Sequence, residues 1–190
     1  MSDAITELLR RWNNGDRGSL DAAITAMLPQ LRHIAHRIAS QNGSNTFQTT
    51  ALANELYVRF AKSCPGARNR EHLLALASMT MQHLVVDHAR GQLRQKRGGG
   101  AQRVALEETV LLSQSQLEQV VMIDEALRLL HNQNSRSALV FEMRFFGGFT
   151  VREVAEALNL SENTVIRDWS GACASLRRSI VNGQSSVQSD

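Results

Sequence analysis

FFGGFTVREVAEALNLSENTVIRDWSGACASLRR, residues 145–178, is the stretch on which the fold turns. Thr150 followed three residues later by Glu153 is a capping box and predicts a helix start. Val151, Val154, Ala155 and Leu158 then recur at helical spacing and form one apolar face. Asn159 tolerates the left-handed conformation that closes a helix, and Leu160 tucks under the turn. Ser161 caps the next helix. Along that second helix Val165, Trp169, Ala172 and Leu176 step by four, three and four, a single buried stripe. Asn163, Ile166, Arg167, Ser170 and Arg177 are left pointing outward. A short helix, a tight turn and a second helix with a polar, partly basic outer face is the helix-turn-helix pattern. An ordinary helical hairpin in a bundle is the alternative, and because caps, turn and stripe all agree a DNA-reading element is expected.

Working outward, the second module begins at Gln116–Leu130, a helix with Val120, Ile123, Leu127 and Leu130 inward, then a turn over 131–135 and a helix over 136–146. Before it, residues 98–115 open on Gly98-Gly99-Gly100 and show no firm period, so they read as a flexible linker. The glycine run lacks the Gly-Lys-Ser/Thr ending of a phosphate loop.

The first module, residues 1–97, shows helices over 3–12, 19–39, 49–62 and 71–97, with turns at Asn13–Asp16 and from Ser63 to Arg70. Pro29 is expected to kink or divide the second helix. The third should bury Leu52, Leu56, Phe60 and one of Tyr57 and Val58. The fourth has a basic end: between Asp87 and Glu107 there is no acid, while Arg90, Arg94, Lys96, Arg97 and Arg103 all fall there. Part of this charge answers the helix dipole, and the excess favours a nucleic-acid partner. The fold class is therefore all-α, two small helical modules on a flexible linker, with a frayed polar tail over 183–190.

Composition bounds the function. Hydrophobic residues make up 43% of the 190, which is enough for packed cores, and the net charge of +3 is too modest to name a partner. Cys64 and Cys173 are too few for a disulfide framework and suit a reduced cytosol. The N-terminus lacks the apolar core of a signal peptide, and no run approaches the ~18 apolar residues of a membrane span, so a cytoplasmic protein is expected. His33 and His36 lie one turn apart and His72, His83 and His88 are scattered, without carboxylates at ligand spacing. No catalytic, metal or cofactor site is expected.

Four stretches, in order, resemble the extracytoplasmic-function (ECF) group of bacterial RNA polymerase sigma factors. They are Thr6–Trp12 with Gly15-Asp16, Leu84–Arg90, Asp124–Leu127 and Thr164–Trp169. The resemblance spans nearly the whole chain. It implies a protein that binds core RNA polymerase and directs promoter-specific initiation, with residues 1–97 on core and the downstream (−10) element and 116–182 on the upstream (−35) element. For the upstream element it points to Asn163, Ile166, Arg167 and Ser170 at base edges and Arg177 and Arg178 at phosphates. Asp168 either pairs with a nearby arginine or accepts from a cytosine.

For the downstream element the resemblance points to Lys62, Arg68, Asn69, Arg70 and His72, then His83, Arg90, Arg94, Lys96 and Arg97. Where the group often carries aromatics that stack on an extruded base, this chain has Leu73, Leu76 and Ser78. For core binding it points to Gln48, Leu52, Glu55, Leu56 and Arg59. The group's Asp-Ala-Glu-Asp cluster, however, is replaced by Gln48, Thr49, Thr50 and Ala51, which places the chain in a branch lacking the acidic core-binding motif. A serine/threonine kinase acting on Thr50 or Thr49 would restore the missing charge, and an anti-sigma protein is the other regulator implied. A threonine N-capping the helix is the plainer role for one of the pair. The competing function is a stand-alone helix-turn-helix regulator, which would need a sensor or dimerisation module in the first 97 residues.

Overall fold

The computed structural model describes residues 2–41, 49–63, 66–97 and 113–187. Among these there are seven helices and no strand: α1 (Ser2–Asn13), α2 (Arg17–Gln41), α3 (Thr49–Lys62), α4 (Arg70–Arg97), α5 (Gln114–Phe145), α6 (Val151–Leu158) and α7 (Glu162–Val187). Gln48, Cys64, the glycine run with Arg103, and the last three residues lie outside the described residues.

Helices α1–α4 bury one face each. Leu9, Met27, Leu31, Ile38, Leu52, Leu56, Phe60, Leu73 and Met81 are all fully enclosed, and the Trp12 and Phe60 rings meet at 6.1 Å. α2 is not divided at Pro29 but continues through it as one helix. Met27 on one side of the proline and Leu31 and Ile34 on the other are held in the same core, so packing supports the helix across it. Tyr57 and Val58, one of which was expected inside, are both 38% exposed. The stripe of Leu52, Leu56 and Phe60 already fills the buried face, and the Tyr57 hydroxyl instead donates to Asp21 at 2.7 Å.

α5 starts two residues before the expected boundary. Ser113 forms a capping box with Gln116, which draws Gln114 and Ser115 into the helix. The turn expected over 131–135 shrinks to one residue, Asn134 (φ −155°, ψ 87°), whose Oδ1 accepts from the Ser137 amide at 3.0 Å and so caps the second half of α5.

That second half packs on α6 and α7 through Val140, Phe141, Met143, Phe146, Val154 and Val165, all buried. Gly147 has no room for a Cβ, which would collide with the Phe149 ring and the Met143 carbonyl. Gly148 takes φ +73°, the left-handed region that suits glycine, and together they turn Phe149 back into the core.

The two halves of the chain also touch. α4 lies along α5, Arg90 Nη2 reaches Asp124 Oδ2 at 2.8 Å, and Arg37 Nε donates to the Phe145 carbonyl at 3.0 Å. The buried apolar side chains of both halves form one continuous cluster. No helix among the described residues is long and apolar enough to cross a membrane.

Candidate nucleic-acid interface

The helix-turn-helix is built by local bonds in the order that its residues dictate. The Glu153 amide donates to Thr150 Oγ1 at 3.2 Å while Glu153 Oε2 accepts from the Thr150 amide at 2.8 Å, closing the capping box of α6. Asn159 takes φ 55° and ψ 49°, and the Leu160 amide returns to the Ala155 carbonyl at 2.9 Å, the closure of a Schellman-type turn. The Thr164 amide then donates to Ser161 Oγ at 3.2 Å and α7 begins.

Within α7, Val165, Ala172 and Leu176 are buried and Trp169 half-buried, while Asn163, Ile166, Arg167, Ser170, Arg177 and Arg178 are exposed. Asn163, Ile166, Arg167 and Ser170 sit at i, i+3, i+4 and i+7, so they share one face. The Ser170 hydroxyl donates to the Ile166 carbonyl at 3.0 Å, which leaves it to act outward as an acceptor. Ile166, 49% exposed, places an aliphatic group among polar ones.

The support beneath α7 comes from α5. Asp168 is only 5% exposed and pairs with Arg136, Nε to Oδ2 and Nη2 to Oδ1. Of the two roles open to Asp168, the structure shows the arginine pair. The Trp169 ring stacks on Phe141 at 5.3 Å and carries the Arg144 guanidinium 4.8 Å from its centroid. Arg136, Phe141 and Arg144 were not singled out from the sequence. The available hint was an acid, Asp168, beside the apolar stripe.

In the first half of the chain the candidate residues are dispersed. Asn69 Oδ1 accepts from the His72 amide at 2.8 Å and caps α4, while His72 Nδ1 accepts from the Arg68 amide at 3.2 Å. Both side chains are thus engaged in shaping the loop. Burial, and then the Arg68 charge, hold His72 below the ordinary histidine value. Lys62 and Arg68 are exposed, and Arg70 is half-buried against Glu71 at 3.3 Å. Leu73 and Ser78 are fully buried and do not present a stacking surface, since Ser78 Oγ is turned to the Ala75 carbonyl. On α4, His83 and Arg94 are exposed, Arg90 is held by Asp124, and the side chains of Lys96 and Arg97 lie outside the described residues. Asp124, 4% exposed, also receives Arg128 Nε at 2.9 Å.

The α3 surface corrects part of the expected core-binding set. Leu52 and Leu56 are 1% and 0% exposed, because their four-residue spacing faces α2 and α4, so neither is available to a partner. The outer face carries Glu55, Tyr57, Val58 and Arg59, the last paired with Asp87 at 3.1 Å. Thr49 and Thr50 both fall inside the first turn of α3, half-buried and exposed respectively, and the residue before them, Gln48, lies outside the described residues. That turn contains no acid.

Among the described residues no group of three His, Cys, Asp or Glu side chains is placed to hold a metal ion. No curated protein matches the chain. A family model described as ECF sigma factor matches residues 2–182, nearly the whole chain. The chain accordingly belongs to the ECF sigma factor family, whose members are not enzymes but bind core RNA polymerase and promoter DNA to initiate transcription.

Proposed function

We propose that the two halves divide the promoter between them, with residues 1–97 on core polymerase and the −10 element and residues 116–182 on the −35 element, tethered by 98–115. The observation that carries this reading is the outer face of α7, four exposed residues in register on a helix capped at its start and buried along its back. Asn163, Arg167 and Ser170 contact base edges, Ile166 a thymine methyl, and Arg177 and Arg178 phosphates. On the other half, Lys62, Arg68 and Arg94 present free surface charge to the −10 strand, and Arg90 joins them once it leaves Asp124.

The outer face of α3 docks on the polymerase through Glu55, Tyr57, Val58 and Arg59. Its first turn lacks the acids that complement a basic clamp, and threonine phosphorylation supplies them. Thr50, the more exposed hydroxyl, is the preferred acceptor and Thr49 the second. A phosphothreonine adds about −1.5 to −2 charge at a helix N-terminus, where the dipole also favours it. In vitro transcription with core polymerase tests both levels. Thr50→Asp, or kinase treatment, should raise transcript yield over the untreated chain, and Thr50→Ala should abolish the kinase response. Equal yields from Asp and Ala variants at both threonines would end the switch, and no transcript from any form would end the promoter assignment.

A further inference from the structure

Asp168 is an odd residue for its place. It lies between Arg167, which points outward, and Trp169, which points inward, and it is a carboxylate 5% exposed on a helix whose other buried members are apolar. A buried charge is costly unless it is paired, and here both oxygens are taken by one guanidinium, Nε and Nη2 of Arg136. Arg136 is two residues past the break at Asn134, so the cap that restarts α5 also sets where this guanidinium stands. The next residue, Trp169, is gripped from the same half of α5 by Phe141 and Arg144.

We infer that Arg136 is a positioning residue for the recognition helix, fixing the roll of α7 through Asp168 so that Asn163, Ile166, Arg167 and Ser170 face the bases. This rests on the promoter reading given above and adds to it a residue that touches no DNA. Adjacent helix positions are about 100° apart, so holding Asp168 and Trp169 from one neighbouring helix clamps α7 at two points around its circumference. The other buried contacts of α7, Val165, Ala172 and Leu176, are apolar, and apolar burial has no direction of its own. A roll of about 20° moves a side-chain tip at a radius of about 5–6 Å by about 2 Å, enough to break a base-edge hydrogen bond. The bidentate pair is directional where apolar packing is not.

Holoenzyme assembled from core polymerase and the full chain is tested on a promoter pool randomised separately in its upstream and downstream elements, and the transcripts are sequenced. Arg136→Gln should cut upstream base preference by about tenfold, the scale of one lost base contact. Downstream preference should stay as it was, and so should the salt dependence of binding. The double variant Arg136→Gln with Asp168→Asn leaves no carboxylate unpaired, and should fold and be no worse than the single. Arg136→Lys should restore only part of the preference, because an ammonium is a point charge and not a fork. Far-UV circular dichroism and melting are followed throughout. Full upstream preference in Arg136→Gln would overturn the inference. So would an equal loss on all sequences with a salt slope lower by about one, the mark of a direct phosphate contact. Loss of the folded signal in both the single and the double variant would reduce the pair to fold maintenance and overturn it as well. A wild-type holoenzyme with no upstream preference would defeat the promoter reading itself, a result readable before any variant is made.

Discussion

Replacing Asp124 by Asn probes the contact between the two halves of the chain. The Asp124 carboxylate is 4% exposed and its Oδ2 receives Arg90 from α4 at 2.8 Å and Arg128 from its own helix at 2.9 Å. Asn preserves volume and can still accept one of these bonds. A hydrogen bond to a charged group contributes about 1.5–3 kcal/mol, so losing one sets the upper bound. Two effects reduce it. Burying a neutral amide costs less than burying a carboxylate. Both guanidiniums also retain access to water, with Arg128 at 62% and Arg90 at 26% side-chain exposure. The expected net loss is about 1–2 kcal/mol, or about 2–8 °C in melting temperature for a chain of this size. Differential scanning calorimetry on the purified chain checks it. Arg128→Ala should cost less than Asp124→Asn, since Arg90 keeps the carboxylate paired. If Asp124→Asn melts at or above the wild type, the pair contributes no net stability and the two halves are held by their other contacts.

Gly147→Ala should destabilise the C-terminal half by about 1–3 kcal/mol, the usual cost of forcing atoms into a packed site, with a matching drop in melting temperature. Gly91→Ala, where a Cβ meets nothing within 4 Å, should be harmless and serves as the control. Stability should also depend on pH. Burial holds His72 and His88 below the ordinary 6.5, Arg68 adding to the effect at His72, so the unfolded chain binds these protons more tightly. Their neutral forms suit the fold fully above pH 6.5, and stability falls as pH drops through that value toward their folded ones. Glu142 works the other way. Burial raises it above 4.5 despite the nearby His131 and His83, and Asp124 adds to the rise, so acidification from its folded value toward 4.5 is stabilising. Glu142→Gln removes this opposition and should steepen the loss of melting temperature on acidification, whereas a flatter profile than the wild type would contradict the assignment.

Features that depend on near neighbours were legible in the residues alone. The capping box of Thr150 and Glu153, the left-handed Asn159, the Ser161 cap and the stripe from Val165 to Leu176 all rest on bonds and spacings within a turn or two, and all stand where the residues predict. The helical class follows from the same local rules repeated along the chain, and four short motifs in order were enough to point to the family. Which groups meet across long separations was set by packing in three dimensions. Arg136 lies 32 residues before Asp168, and Arg90 lies 34 before Asp124. Nothing in helical periodicity selects one arginine among 21 basic residues as the partner of a given acid. Packing likewise chose to expose both Tyr57 and Val58 and to carry α2 undivided through Pro29. An apolar stripe says that a face is buried, but how wide that face is depends on the neighbours that cover it. Those neighbours are supplied by helices remote in the chain, which is why surface and core near the edge of a stripe were the last things the residues alone could tell apart.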